Sequence, residues 1–224
     1  MKQYRVETYE EATQVIKELG ILPLATLIPN YPSLDSITAK GNWHTGSEID
    51  PWLWRAMFPA DGVAAYGKFL KKKSILISKE VLPLIRAVVG SVDSLEQRYS
   101  DGLVSRDALE LFKLIRKEEG IDTRVLRVKA GMKDKDKKKT FDLALVDLQG
   151  SMDIVVAGTK EKTNEVGEKN GWSSTSFETM DNWATRNNVS HVPNVEEAKT
   201  ELKNHLERVC NPEVMKAFSK LFKF

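Results

Sequence analysis

Between Ser105 and Met180 the apolar spacing switches between helical and strand periods in an order that few folds accommodate. Ser105 precedes a segment with Ala108, Leu109, Phe112, Leu114 and Ile115 on one helical face, closed by Gly120. Ile121 is a one-residue strand candidate, and Thr123 is placed to cap a short helix over Arg124–Ala130 that carries Val125, Leu126 and Val128. Gly131 turns the chain, and a longer helix is expected from about Lys135 to Gln149. Met152–Ala157 reads as a strand, Thr159–Gly171 as a polar, glycine-containing stretch, and Trp172–Met180 as a second strand.

Helix, short strand, helix, turn, helix, hairpin is the order of a winged helix-turn-helix, which is therefore the expectation for residues 105–180. Upstream, residues 1–104 read as a helical region with one β-hairpin. Thr8 and Glu11 have capping-box spacing, and Ala12, Val15, Ile16 and Leu19 follow at helical intervals up to Gly20. Ile21–Asp50 is punctuated by proline and glycine and reads as loop, after which Asp50 is placed to cap a helix opening at Pro51. Val63–Leu70 and Ser74–Ile77 are strand-compatible and flank Lys71-Lys72-Lys73, so a hairpin with a lysine turn is expected. Ser78 is expected to cap a helix through Val88, kinked at Pro83. Residues 181–224 add two helices, with Ala198, Leu202 and Leu206 on one stripe and Val214, Phe218 and Phe222 on the other. Both stripes are expected to pack on the winged helix, a homodimer contact being their alternative use. The fold class expected is α+β.

Composition narrows the function less. A net charge of +2 over 224 residues does not by itself imply nucleic acid, so any basic signal has to be local. The single cysteine, Cys210, excludes an intramolecular disulfide and fits a reducing, cytoplasmic setting. The first fifteen residues lack the apolar core of a signal peptide, and the longest apolar runs are far too short to cross a bilayer. No P-loop, dinucleotide glycine motif or nucleophile elbow is present, and no cofactor or metal is expected.

Trp52-Leu-Trp54, the block from Tyr66-Gly-Lys to Ser78, Leu82-Pro83 and Phe141–Gln149 running into Met152–Val156 resemble the AlkZ-related proteins. These are a branch of the winged-helix superfamily of the AlkZ DNA glycosylases, which cut the glycosidic bond of alkylated bases. The resemblance implies a winged-helix fold and DNA as partner. It does not carry the activity across. Those glycosylases place the attacking water with a Gln-x-Gln or Gln-x-Asp pair, whereas Gln3, Gln14, Gln97 and Gln149 have neither residue two positions on.

Two lysine-rich clusters are the candidate duplex-DNA contacts. From Arg124 to Leu145, eight cations (Arg124, Arg127, Lys129, Lys133, Lys135, Lys137, Lys138 and Lys139) face three acids, a net charge of +5 around the helix-turn-helix. Lys68, Lys71, Lys72 and Lys73 form the other, at the hairpin beside Tyr66 and Phe69. The outer face of the long helix carries Lys139, Leu143, Val146 and Asp147 but no Arg, Asn or Gln, the usual readers of base edges, so contact through the phosphate backbone is expected. In the wing, Lys160, Lys162 and Lys169 are offset by Glu161, Glu165 and Glu168. Trp52 and Trp54 are expected to anchor the core. Two alternatives stand beside duplex binding. One is a divergent glycosylase that activates water with Glu48 or Asp50 near His44. The other is a protein-interaction module meeting its partner through Leu143 and Val146.

Overall fold

The structure is a computed structural model that describes residues 2–162, 173–189 and 191–224. The described residues form a mixed α+β fold. Its first half holds α1 (Tyr9–Leu19), β1 (Ile21–Pro23), α2 (Leu34–Ile37), α3 (Pro51–Ala60), β2 (Ala64–Leu70), β3 (Lys73–Ser78), α4 (Leu82–Val89) and α5 (Leu95–Ser100). Next come α6 (Arg106–Lys117), β4 (Ile121–Asp122), α7 (Thr123–Lys129), α8 (Lys138–Gly150), β5 (Ile154–Lys160) and β6 (Ser174–Thr179). The chain closes with α9 (Met180–Arg186), α10 (Val195–Val209) and α11 (Pro212–Phe222).

All six strands join one antiparallel sheet in the order β1-β3-β2-β5-β6-β4. The strand period of two sends alternate residues to opposite faces. Ile75, Ile77, Ala65 and Val155 face one core, whereas Leu76, Tyr66, Ile154 and Val156 face the other. Both faces are covered, and hence the strands read as nearly unbroken apolar runs rather than as alternating ones. Helices α1, α3, α6 and α8 supply one cover, with Ile16, Trp54, Phe58, Leu109, Phe141, Leu145 and Leu148 buried together and Phe112 packed against them. Helices α4, α9, α10 and α11 supply the other, with Leu82, Trp183, Leu202 and Phe218. The apolar stripes of the last two helices are thus spent inside their own chain.

Local chemistry explains most boundaries. The Thr8–Glu11 capping box is formed, and Gly20 (φ 75°) ends α1 where a side chain would strike Val81 and His205. The β2–β3 turn has two residues, Leu70 pairing with Lys73, and Lys71 (φ 49°) and Lys72 (φ 58°) are both left-handed. A type I′ hairpin requires that conformation, and Asn-Gly adopts it far more easily than two lysines.

Several expectations need correction. Helix α4 starts at Leu82 with Pro83 in its first turn, so there is no kink, and the Ser78 hydroxyl is buried without a partner rather than capping it. Asp122, not Thr123, caps α7, accepting from the Arg124 and Val125 amides. Helix α8 begins at Lys138, because Asp134, Lys135 and Asp136 belong to the preceding turn. Met152 takes a left-handed φ of 60° after α8, which delays β5 to Ile154. The stretch expected to be loop contains β1 and α2. Strand β6 starts at Ser174, while Trp172, Glu165, Glu168 and Lys169 lie outside the described residues. Trp54 is 1% exposed and anchors the core, but Trp52 is 39% exposed and does not.

Candidate nucleic-acid interface

Helix α8 opens without a side-chain cap, and its first turn holds no acid, only Lys138 and Lys139. The unsatisfied amides and the positive end of the helix dipole repel those lysines and favour an anion instead. Lys133, Lys135, Lys138 and Lys139 are exposed and make no ion pair or side-chain hydrogen bond with a described residue. Other predicted cations are committed to the fold. The Arg127 guanidinium donates to the Met132 and Asp134 carbonyls (3.0 and 3.3 Å) and lies over the Phe141 ring. Lys137 donates to the Gly131 carbonyl (3.0 Å), so these two residues hold the turn before α8 together. Arg124 pairs with Asp122 and donates to the Lys160 carbonyl. Burial pushes the Asp122 carboxyl up, but the Val125 and Arg124 amides and the Arg124 guanidinium outweigh it, leaving its pKa below the ordinary value.

The second cluster lies against the other end of α8. Lys72 Nζ is 4.0 Å from Asp147 Oδ1 near the end of α8, and Lys68, Lys71 and Lys73 are exposed on the same hairpin. That ion pair is exposed and contributes about 0–1 kcal/mol. A partly buried hydrogen bond does more. The β2 ladder is irregular between Gly67 and Leu70, and there the Lys68 amide donates to Gln149 Oε1 (3.0 Å). Gln149 Nε2 donates to the Leu145 carbonyl (2.8 Å), and the side chain is 5% exposed. Removing it would orphan a partly buried amide, at a cost of about 1–3 kcal/mol. Gly67 fits because a Cβ there would lie 2.7 Å from the Phe69 ring.

Three neighbouring hollows, each sharing lining residues with the next, run from α8 towards α3. A hollow of about 440 Å³ on α8 is lined by Lys135, Lys138, Lys139, Asp142, Leu143 and Val146, with Leu143 45% exposed. Asp142 and Val146 also line a groove of about 360 Å³ that reaches Gln149, Tyr66 and Arg55. Arg55 and Thr175 in turn line a mainly apolar cleft of about 1120 Å³ between α3 and the end of the β5–β6 pair nearest its connection. Trp52 stands in this cleft, with the Arg55 guanidinium 3.6 Å from its ring centroid and the His44 ring at 4.7 Å. Burial lowers the Arg55 pKa, partly offset by Tyr66, and Arg55 Nε is buried without a partner. The sequence singles out neither Arg55 nor any role for Gln149 beyond its failure to complete the glycosylase pair. An arginine three residues after an aromatic on one helix face is the available signal for the first, and nothing local marks the second.

The proposed water-activating acids are placed otherwise. Asp50 is 1% exposed and accepts from the amides of His44, Gly46 and Trp52 (3.0, 2.9 and 2.9 Å), which makes it a structural cap. Glu48 is exposed, and its backbone carbonyl accepts from the Trp54 indole. His205 donates from Nε2 to the Leu19 carbonyl (3.1 Å), docking α10 on α1, and burial pushes the Cys210 thiol up to about 11. Among the described residues no three His, Cys, Asp or Glu side chains converge as metal ligands, and no helix is long and apolar enough to cross a membrane.

Comparison with curated proteins and with solved structures gives no match. A family model described as AlkZ related matches residues 6–223, nearly the whole chain, and the chain belongs to that family.

Proposed function

We propose that this protein binds duplex DNA through the phosphate backbone, with α8 as the principal contact of a winged helix-turn-helix spanning 105–180. The observation that carries the reading is that two lysine clusters, distant in sequence, flank one helix, Lys138 and Lys139 at the start of α8 and the β2–β3 hairpin near its end, where Lys72 pairs with Asp147. The winged-helix assignment is supported by the order α6, β4, α7, α8, β5, β6, with β6 paired to both β4 and β5. The uncapped, acid-free start of α8 favours phosphate, while Leu143, Val146 and Asp147 on its outer face offer little for reading base edges. Two lysines held left-handed at the hairpin tip make sense where cations are wanted at that tip more than turn stability. The test is a binding titration against duplex and single-stranded DNA at several salt concentrations. A duplex preference with an affinity that falls steeply in salt is expected; salt-independent binding, or none, refutes the reading.

A further inference from the structure

The exposed Lys72–Asp147 ion pair adds little to holding the hairpin lysines against α8, and a second contact does more. The Lys68 amide reaches out of the irregular part of β2 to Gln149 Oε1, and Gln149 is itself tied to its own helix through the Leu145 carbonyl. One buried side chain thus joins the strand that carries one lysine cluster to the helix that opens with the other. From Lys139 to Asp147, beside which Lys72 sits, is eight residues of helix, a rise of about 12 Å. That is about the width of the DNA major groove. Helix α8 is therefore long enough to lie across one groove, with cations at its start facing one strand and the hairpin cations facing the other.

We propose that Gln149 is a positioning residue that makes the two lysine clusters one clamp on a single duplex, rather than two independent basic patches. This rests on the duplex-binding reading, since a clamp needs both strands. Gln149 touches no DNA in it. It acts through the Lys68 amide, which keeps Lys71 and Lys72 at a fixed distance from Lys138 and Lys139.

The test combines Gln149→Met with Lys71→Asn/Lys72→Gly on the full chain, reading the salt dependence of duplex affinity at temperatures where circular dichroism shows each variant folded. In the wild type the hairpin substitutions should lower the slope by about 1.8, about 0.9 for each phosphate no longer neutralised. Gln149→Met alone should lower it by a similar amount, and adding the hairpin substitutions to it should then change little. Gln149→Glu supplies a second arm. Its buried carboxyl group is raised in pKa and, once protonated, can accept from Lys68 and donate to Leu145. Binding by the Glu variant should approach wild type as the pH is lowered toward about 5, while the Met variant gains nothing comparable. Additive slopes, or an unchanged slope in Gln149→Met, overturn the clamp. A slope that responds to Lys138→Ala/Lys139→Ala but not to the hairpin substitutions overturns it while leaving duplex binding standing. Absence of duplex binding by the wild type removes both.

Discussion

Replacing Lys71-Lys72 by Asn-Gly should stabilise the protein and weaken its hold on DNA at the same time. Both lysines are left-handed, at φ 49° and 58°. That conformation costs an ordinary residue about 1–2 kcal/mol. Asparagine tolerates it better and glycine adopts it freely, although glycine loses about 0.5–1 kcal/mol more chain entropy on folding. The Lys72–Asp147 ion pair that disappears is exposed and contributes about 0–1 kcal/mol. The net gain is about 1 kcal/mol, a rise of about 2–4 °C in Tm for a chain of this size. On the binding side, leaving two phosphates without their lysines reduces the salt slope by about 1.8, so the drop in affinity between 50 and 200 mM salt is about tenfold smaller. Thermal unfolding by circular dichroism and fluorescence anisotropy on a duplex, run on the same sample, read the two effects. A fall in Tm would refute the turn argument, and an unchanged slope would take the hairpin out of the interface. The opposite signs matter, because a variant that merely unfolds lowers both quantities.

Asp147→Asn removes a carboxylate from the middle of the proposed interface and frees Lys72, so duplex affinity should rise a few-fold at low salt; weaker binding would mean that Asp147 itself positions the hairpin. Asp50→Ala deletes the acceptor for three amides and the cap of α3, and should cost about 2 kcal/mol, seen as a lower Tm; a wild-type Tm would leave Asp50 free for chemistry. For Asp122 the folded pKa lies below the ordinary 3.8, so its ionised form adds stability that is complete above that value and is lost as pH falls through the folded pKa. Wild type should therefore exceed Asp122→Asn in stability near neutral pH, with the gap closing below about pH 3.8; a gap constant down to pH 2 would show that only cap geometry matters.

Residue chemistry that acts within one turn is readable from sequence. Thr8 with Glu11, Ser105 ahead of its amphipathic run, Asn194 and Pro212 all mark helix starts where they stand, because a cap needs only the amides two or three residues on. The hairpin is legible from the apolar runs on either side of its lysines, although Lys73 belongs to β3 rather than to the turn, and so are the element types and their order between α6 and β6. Tertiary structure decides what depends on partners far along the chain. Trp52 and Trp54 are indistinguishable by composition, yet one lies in a cleft and the other in the core, because α3 can turn only one face to the sheet. Asp50 reads as available for catalysis until the loop ahead of it folds three amides around its carboxylate. Gln149 carries no local mark at all, since its partner is the Lys68 amide, exposed to it by an irregular strand 81 residues earlier. The approach of the lysine hairpin to α8 likewise depends on contacts far apart in the chain, the Lys72–Asp147 pair and the Lys68–Gln149 hydrogen bond, which no local periodicity encodes.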